Sequence, residues 1–502
     1  MDKSFFDDLE AKIPRGKVRT RFAPSPTGYM HIGNLRTALY AYLIAKKNNG
    51  TFILRIEDTD KARYVEGATE VIIKTLKEAG LDYQEGPDIG GPVAPYTQSR
   101  RLELYKPYAQ MLCEKGAAYY CFCEVRDQGE GKREKGDSSF QLENDPCRDR
   151  IYSDSKSRAD AGEPHVIRMK APREGETKVV DAVFGEVTTQ NKTLDDMVLI
   201  KRDGFPTYNF ANVIDDHLMG ITHVMRGDEY ISSAPKYNLL YNAFDWEIPI
   251  YITVSQIMRD AHNKFSKRHG DPTYDDMLSQ GYLPDAVLNY IALLGWSPGG
   301  ECEIFSLEEL PEVFDIGGLS KSPAIFDIEK LNYFNSEYIR KMEFDEFARI
   351  AKPYIRSVIK NESIEADAVA RILQTRCEKL RDIPEKIDFF EKLPEYDTEL
   401  YVHKKSKTDK AVSYEMLIAA KNALDVLTDW TGESVHDTLI DLAAKLGVKN
   451  ATLMWPLRIA AAGKAVTPGG AVEICTILGR EETIRRIDTG INRLSVTGGV
   501  AG

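Results

Sequence analysis

Hydrophobic positions recur along this chain with two different periods. Short apolar or alternating runs predict buried strands at residues 17–23, 51–56, 221–226 and 249–254. Between the first two runs, apolar side chains from Leu35 to Leu43 follow helical spacing, and Asn34 is suited to cap that helix. Strand, glycine-bearing loop, helix and strand together form a βαβ unit, which predicts a parallel, doubly wound sheet.

An insertion interrupts this sheet domain. Between about residues 105 and 210 a polar, low-complexity stretch at 129–137 precedes short alternating strands such as 165–169 and 197–200. Because strands of the parallel-sheet type resume after residue 220, the sequence predicts one sheet domain that a mixed α/β insertion divides in two.

The last part of the chain is predicted to be helical. From about Pro284 the apolar stripes have helical spacing, and no β-rich stretch follows about residue 340. A proline and a run of lysines at 393–407 predict a joint near residue 400 between two helical parts.

Length and composition narrow the class of protein. A chain of 502 residues is too long for one ordinary domain, and 42% hydrophobic with 29% charged residues suits a globular protein. No apolar run approaches the roughly 20 residues of a membrane span, and the acidic residues near the start argue against a signal peptide. Seven cysteines, an odd number, do not form a disulfide framework. The expected location is the cytoplasm, with no membrane contact.

The net charge taken alone argues against a nucleic-acid partner. The chain has 66 basic and 78 acidic residues, a net charge of −12, whereas nucleic-acid binding usually needs a basic face. Locally the balance reverses, because residues 12–21 hold five basic side chains and no acid, and residues 259–268 hold four against one acid. Such patches can hold RNA on an otherwise acidic protein.

Two segments carry candidate chemistry. The loop at 24–33 ends in His31 and Gly33 at a predicted helix N-terminus, where backbone N–H groups and the helix dipole favour a phosphate. The basic loop at 264–270 brings lysines that could neutralise a triphosphate as it is attacked.

Several ordered motifs carry a resemblance to a known family. They are residues 22–28 with His31-Ile32-Gly33, residues 55–60, 206–227 and 264–268, and in the helical part 456–458 with 467–469. Together they resemble the class I aminoacyl-tRNA synthetases, and most closely the bacterial glutamyl-tRNA synthetases, over nearly the whole chain. Asn34 departs from the class signature, which has His there, and is assigned to helix capping.

The resemblance implies a fold and its division into domains. The fold class is α/β, with a class I Rossmann-like catalytic domain that an α/β acceptor-binding insertion splits, followed by α-helical stem-contact and anticodon-binding domains. The expected parts are the catalytic halves 1–105 and 212–265 around the insertion 106–211, a stem-contact region 266–342 with the KFSKR loop, and anticodon-binding helical domains 343–401 and 402–502.

The resemblance also implies a reaction. ATP and Mg²⁺ bind in the split sheet, the glutamate α-carboxylate attacks the α-phosphate, and the glutamyl adenylate passes its acyl group to the 2′-OH of the terminal adenosine of tRNA-Glu. The expected catalytic residues are His31, Lys264 and Lys267, which stabilise the transition state. The expected ATP-binding residues are His31, Gly33, Lys264, Ser266 and Lys267.

Glutamate carries two carboxylates and one ammonium, so its pocket needs guanidinium groups and an acid. By residue-to-residue match, the resemblance places Arg21 and Arg226 against carboxylates and Glu57 against the ammonium. The other matching pocket positions are Ala23, Ser25, Tyr208, Asn212 and Glu229. In the helical part, Arg376 lies near where the family senses the third anticodon base.

A group of cysteines in the insertion matches a zinc site of some bacterial members. The matching residues are Cys121, Cys123 and Cys147, with Asp149 at the place of the usual His. A carboxylate can complete a tetrahedral zinc site, although Cys₃Asp is uncommon. The alternative is three reduced cysteines without a metal.

Relatives of the family offer three competing interpretations. Glutaminyl enzymes carry β-barrel anticodon domains, and a short tRNA-modifying paralogue lacks an anticodon region, whereas this chain reads as helical after residue 340. A catalytically inactive RNA-binding paralogue should have lost His31, Lys264 or Lys267, and all three are present. The expectation is a monomeric glutamyl-tRNA synthetase with tRNA-Glu, glutamate and ATP as partners. Whether it also charges tRNA-Gln with glutamate, as a non-discriminating enzyme, stays open.

Overall fold

A computed structural model describes residues 3–28, 30–60, 64–123, 145–265 and 270–497. The chain forms two compact units. The first comprises Met1–Asp276 with Val287–Asp327, and the second comprises Met277–Ala286 with Ile328–Gly502.

Eleven strands lie in the described part of the first unit: β1 (Arg19–Phe22), β2 (Thr51–Leu54), β3 (Ala118–Cys121), β4 (Val166–Met169), β5 (Glu176–Asp181), β6 (Gly185–Gln190), β7 (Val198–Ile200), β8 (His223–Gly227), β9 (Ile250–Val254), β10 (Ile257–Met258) and β11 (Ala324–Ile325).

The helices from the beginning of the chain to residue 313 are α1 (Lys3–Glu10), α2 (Ile32–Lys47), α3 (Ala68–Glu78), α4 (Leu102–Glu114), α5 (Tyr152–Asp160), α6 (Tyr208–Leu218), α7 (Ala234–Phe244), α8 (Tyr274–Ser279), α9 (Pro284–Ala292) and α10 (Leu310–Val313). Those that follow are α11 (Ile328–Lys341), α12 (Phe344–Val358), α13 (Ala366–Leu373), α14 (Ile383–Glu391), α15 (Lys410–Asp425), α16 (Gly432–Lys445), α17 (Asn450–Ala462), α18 (Ala471–Leu478) and α19 (Arg480–Thr497).

The main sheet has six strands in the order β2-β1-β8-β9-β5-β6. All neighbours in it are parallel except β5 and β6. The predicted parallel sheet is therefore confirmed, and so is its division, because β1 and β2 precede the insertion while β8 and β9 follow it. The strand order reverses between β1 and β8, and in open parallel sheets a ligand site lies at such a point, beyond the carboxyl ends of the strands.

The insertion is less separate than the sequence predicted. Strands β3, β4 and β7 form their own antiparallel sheet, but β5 and β6, which lie within the expected insertion 106–211, extend the main sheet. Alternate side chains of β5 are buried, and Thr253 of β9 donates a hydrogen bond to the carboxylate of Asp181 on β5 at 2.7 Å. Strands β5 and β6 are therefore part of the main sheet, whereas the expected division assigned all of residues 106–211 to the insertion.

Two residues of the predicted basic patch at 12–21 are buried. Arg19 and Arg21 are 4% and 5% exposed and form ion pairs with Glu85 and Asp216 respectively. Only the other three cations of this stretch lie at the surface, so the expectation of a five-charge RNA-binding patch is corrected. The two buried arginines of β1 link this strand to Glu85 and Asp216, which lie far from it in sequence.

The second unit is helical, as predicted, and no strand follows Ile325 in the described residues. A single hydrophobic cluster runs from Ile339 to Leu494 and includes the fully buried Tyr401. The expected joint between 343–401 and 402–502 therefore does not divide the core. The lysine run that suggested it forms a short polar turn, in which His403 and Thr408 pair through their backbones.

The helices were also compared with the requirements of a membrane span. None of the helices within the described ranges combines the length and the hydropathy that crossing a bilayer requires.

Candidate active site

A cavity of about 560 Å³ opens at the carboxyl ends of β1, β8 and β9, beside the point where the strand order reverses. Its wall brings together most of the residues that the sequence singled out. The lining residues that were predicted are Arg21, Ala23, Ser25, His31, Gly33, Tyr208, Arg226, Glu229 and Lys264. The strands thus deliver to one place residues that lie as far as 240 positions apart in sequence.

His31, and not Asn34, caps helix α2, which corrects the predicted cap. The backbone N–H groups of Gly33 and Asn34 donate to His31 Nδ1 at 3.1 and 3.3 Å. The predicted free N–H groups are therefore partly occupied by the imidazole. Because Nδ1 accepts, the neutral ring carries its proton on Nε2, which leaves that atom as a donor towards the cavity. Burial and the charge of Arg36 lower the pKa of His31.

Gly33 makes this arrangement possible. A Cβ atom at this position would lie 2.9 Å from His31 Cε1, closer than side-chain atoms normally approach. The sequence interpretation gave this glycine a different role, room for a flat base beside the backbone. The geometry adds that glycine is needed here for the imidazole to cap the helix.

A buried carboxylate on α6 joins the arginines of two strands. Asp216 accepts hydrogen bonds from Arg21 at 3.0 and 3.2 Å and from Arg55 at 2.8 Å. Arg21 also donates to the carbonyl oxygen of Met225 at 3.0 Å. These bonds use three of the five N–H donors of Arg21, so two are left in the cavity wall. Sequence reasoning missed Asp216, although two adjacent acids beside the apolar positions of α6 were a signal of buried partners.

Arg226 has more donors to offer than Arg21. Its guanidinium is 8% exposed and lies over the rings of Tyr230 and Tyr237, at 5.4 and 4.9 Å from their centroids. Nη2 donates to Asn212 at 3.4 Å, while Nε and Nη1 are buried without a hydrogen-bond partner. A buried donor without a partner is costly, and a ligand carboxylate would satisfy it.

Glu57 is buried and is not one of the residues that line the cavity. One carboxylate oxygen accepts from Arg55 at 2.8 Å, and the other is buried without a partner. Burial raises the pKa of Glu57 against the opposing effect of Arg55. That oxygen has its acceptor capacity unused, and the role that the resemblance implies for it, binding an ammonium group, stays a prediction.

The remaining predicted pocket residues lie close to Arg226. Asn212 is 1% exposed and donates from Nδ2 to the carbonyl oxygen of Tyr208 at 2.9 Å, which orients its side-chain oxygen towards Arg226. Burial raises the pKa of Tyr208, so its hydroxyl is neutral and can donate. The carboxylate of Glu229 folds over Gly227, where a Cβ would come within 2.1 Å of it.

The segment that leads to the basic loop forms a tight hairpin. The Asp260 carboxylate accepts from the backbone N–H groups of His262 and Asn263 at 2.8 and 2.9 Å and from the Asn263 side chain. Lys264 follows directly and lines the cavity. Ser266 and Lys267 lie outside the described residues, so their roles stay predictions.

The three predicted cysteine ligands come together in the insertion, but Asp145 and not Asp149 joins them. The ligand atoms of Cys121, Cys123, Asp145 and Cys147 all lie within 4.8 Å of one another. Asp149 instead is exposed and pairs with Lys170 at 3.0 Å, which corrects the predicted ligand set. The sulfur atoms of Cys123 and Cys147 are 3.8 Å apart, the separation of about 3.8 Å that two thiolates on a tetrahedral zinc would have. The donor set therefore fits zinc.

The Asp145 carboxylate is held in place by hydrogen bonds to both of its oxygens. Its Oδ1 accepts from the Cys147 backbone N–H at 2.8 Å, and its Oδ2 accepts from the Tyr119 hydroxyl at 3.0 Å. Sequence reasoning chose Asp149 from the spacing of the family motif, and spacing alone does not show that the intervening turn points Asp149 outwards.

In the second unit, Arg376 is exposed at the end of a short turn of helix. Burial and the positive charge of Arg376 together lower the pKa of Arg458. Arg458 stacks on Trp455 at 4.6 Å and donates to the Thr467 hydroxyl at 2.9 Å. The two C-terminal motifs of the sequence thus meet at one basic surface.

Comparisons with known proteins agree with this geometry. Residues 17–333 match the family "tRNA synthetases class I (E and Q), catalytic domain", and residues 346–491 match an anticodon binding domain. A glutamate–tRNA ligase of Clostridium tetani (strain Massachusetts / E88) is 54% identical over 95% of this chain and 98% of its own length. The corresponding ligase of Clostridium acetobutylicum is 53% identical over 95% and 99%.

Solved structures give the same result. The crystal structure of a glutamate tRNA ligase from Elizabethkingia meningosepticum CCUG26117, in complex with its amino acid, is 34% identical with a TM-score of 0.84. The glutamate-tRNA synthetase of Elizabethkingia anophelis has a TM-score of 0.82 at 34% identity. Each comparison covers 95% of this chain and all of the other.

The ion pairs of Asp216 lead to a prediction of pH dependence. Burial opposes the charge of this carboxylate, but Arg21 and Arg55 outweigh burial and lower its pKa to about 2. Because this pKa lies below the ordinary value of 3.8, the ionised Asp216 adds about 2 kcal/mol to the free energy of unfolding at neutral pH. About half of that contribution is lost by pH 3. Asp216→Asn should destabilise the protein by about 3–5 kcal/mol at pH 7, because it leaves buried arginines unpaired.

Denaturant unfolding of wild type and of Asp216→Asn at pH 7, 4 and 3 measures the free energy of unfolding of each. The difference in free energy of unfolding between wild type and Asp216→Asn should be smaller at pH 3 than at pH 4. Asp160→Asn, which removes an exposed ion pair with Lys156, should have little effect at any pH. A difference of equal size at pH 7 and pH 3 contradicts the assignment.

Proposed function

Because the chain belongs to the class I tRNA synthetases for glutamate and glutamine, we propose that it joins L-glutamate to the 3′ end of tRNA-Glu. The reaction consumes ATP, forms a glutamyl-adenylate intermediate and releases AMP and diphosphate. The similarity to glutamate–tRNA ligases over 95% of this chain supports the substrate.

One observation carries the proposal, the unsatisfied guanidinium of Arg226 in the cavity. A buried cation with two unpartnered nitrogen atoms is complementary to a carboxylate, because the planar fork binds two oxygens at once. Arg21 contributes two further donors from the neighbouring strand. The proposed role of both residues is to bind the carboxylates of glutamate, and the free oxygen of Glu57 takes the ammonium.

The remaining pocket residues complete the amino-acid site in this proposal. Ala23 and Ser25 form the wall after β1, with Tyr208 and Asn212 opposite on α6. Glu229 lines the same cavity. Its carboxylate disfavours a second acid close by, which helps the pocket to select the orientation of the substrate.

The nucleotide occupies the part of the cavity next to α2. His31 donates from Nε2 to a phosphate oxygen, and Lys264 with Lys267 and Ser266 neutralises the charge that develops as the α-phosphate is attacked. Mg²⁺ enters as part of the MgATP substrate. The attacking carboxylate and the phosphate are positioned by these groups, and no covalent bond to the protein is formed.

Further parts of the proposal concern the assembly and its place in the cell. The protein acts as a cytoplasmic monomer, residues 106–211 bind the acceptor end of the tRNA, and the helical parts read the anticodon. The nearby charges of Arg376 and Arg458 support an RNA-facing surface. A second candidate function is non-discriminating charging, in which tRNA-Gln also receives glutamate. Because Arg376 is exposed, it is the residue to test for this function.

ATP–pyrophosphate exchange tests the proposed function. Glutamate should support exchange, and the family resemblance predicts that tRNA-Glu must be present. Glutamine should support little exchange, because its neutral amide leaves a guanidinium donor pair without a charged partner. Exchange that is faster with glutamine than with glutamate contradicts the substrate. Aminoacylation of tRNA-Gln with glutamate by the same preparation separates the two candidate functions.

A structural zinc ion in the insertion is also proposed, with Cys121, Cys123, Cys147 and Asp145 as its ligands. The ion would hold the turn at 121–123 to the turn at 145–147 and do no chemistry of its own. Protein purified without chelator or affinity-tag metal should contain about one zinc per chain by mass spectrometry.

Two neighbouring substitutions distinguish the ligands. Asp145→Asn should release zinc to a colorimetric chelator at least about tenfold faster than wild type, because it weakens one of four ligands. Asp149→Asn is the matched control and should retain zinc like wild type. Fast release from Asp149→Asn together with normal retention in Asp145→Asn contradicts the assignment.

A further inference from the structure

Arg36 on α2 lines the cavity but has no role in the chemistry proposed above. It is 3% exposed and lies five residues after His31. Nη1 donates to the carbonyl oxygen of Leu294 at 2.6 Å, and Nη2 donates to the carbonyl oxygen of Ser255. Nε is buried without a hydrogen-bond partner.

Among the described residues, no carboxylate forms an ion pair with this guanidinium. In the described ranges, every other buried arginine lies in an ion pair, and these are Arg19, Arg21, Arg55, Arg101, Arg226 and Arg486. Asp228 attracts Arg36 electrostatically but is not in contact with it, and its carboxylate accepts from Gln256 at 2.7 Å. The partners of Arg36 are two neutral carbonyl groups.

The contrast with Arg55 shows what is missing. Burial opposes the charge of both residues. The carboxylates beside Arg55 outweigh burial and raise its pKa, whereas burial prevails at Arg36 and lowers its pKa. A buried charge without an ion-pair partner is costly, and a ligand of the opposite sign would offset that cost.

The position of Arg36 identifies that ligand. His31, Gly33 and Lys264 line the same cavity, and the charge of Arg36 reaches this part of it, because it contributes to lowering the pKa of His31. The segment that Arg36 holds at Ser255 leads through β10 to Lys264. A polyanion bound between His31 and Lys264 therefore lies in the field of an arginine that forms no ion pair within the part of the chain that the structure describes.

We propose that Arg36 is a positioning residue for ATP, whose triphosphate supplies the counter-charge that the protein withholds from this guanidinium. The proposal rests on the proposed function, since it takes the nucleotide to be the ligand of this part of the cavity. Arg36 acts through its charge while its two carbonyl contacts fix its place, so the charge should matter more for ATP than for glutamate.

The experiment compares Arg36→Gln with Arg36→Lys in ATP–pyrophosphate exchange with tRNA-Glu present. Both variants keep a donor for the carbonyl groups, but only Lys keeps the charge. Arg36→Gln should raise the KM for ATP about tenfold or more and change the KM for glutamate less than about twofold. Arg36→Lys should stay within about threefold of wild type for both.

Arg486→Gln is the matched control, because Arg486 also donates to two carbonyl groups while buried, but in the second unit. It should lower the melting temperature and leave the KM for ATP unchanged. A wild-type KM for ATP in Arg36→Gln, or an Arg36→Lys variant as impaired as Arg36→Gln, overturns the proposal.

If Arg36→Gln does not fold, the KM of Arg36→Lys for ATP is the deciding measurement. A tenfold rise of that KM overturns the role of the charge, and a KM near that of wild type supports the role of the charge. Failure of the wild-type chain to catalyse exchange with glutamate contradicts the proposed function instead.

Discussion

The carboxylate of Asp216 is the constraint on which the candidate site depends. It lies on α6 and accepts from Arg21 of β1 and from Arg55, which follows β2, while Arg226 of β8 lies 3.9 Å away. Three positive charges are thus gathered around one buried negative charge. Glu57 pairs with Arg55, so the three arginines face two buried carboxylates and keep an excess of one positive charge, which a ligand carboxylate can neutralise.

The topology explains why this excess faces a cavity. The strand order reverses between β1 and β8, so the loops after these two strands diverge and leave space between them. Helix α2 begins in the same space, and its first turn is closed by the His31 side chain. One end of the cavity therefore offers guanidinium groups, and the other offers an imidazole, a lysine and the charge of Arg36. In the proposed function, the guanidinium groups hold the amino acid and the groups near α2 hold the phosphates.

Much of the fold could be predicted from the sequence, because hydrophobic period and glycine-rich loops are local signals. The buried strands, the helix after the first loop and the helical second half were all recovered in this way. Motifs then placed most cavity residues, since a motif fixes both residue type and position relative to a strand end. Residues such as Arg21 and Arg226 were found by this route.

Partners distant in sequence could not be predicted. Asp216 lies 195 positions from Arg21, and a linear pattern does not specify which acid meets which base. The assignment of Asn34 as a cap followed residue preference, but the helix begins at Ile32, so Asn34 lies within its first turn and His31 occupies the cap position. Asp149 was chosen by spacing, whereas the direction of a turn selects Asp145. Strands β5 and β6 were assigned to the insertion because sheet membership is a property of tertiary pairing.

The central claim is that Arg226 binds a carboxylate of glutamate, and steady-state exchange with Arg226→Gln tests it most directly. We expect kcat/KM for glutamate to fall by about 100-fold or more and the KM for ATP to change little. Lys74→Gln, at an exposed cation of α3 that does not line the cavity, should behave as wild type. A kcat/KM for glutamate in Arg226→Gln within threefold of wild type would contradict the account.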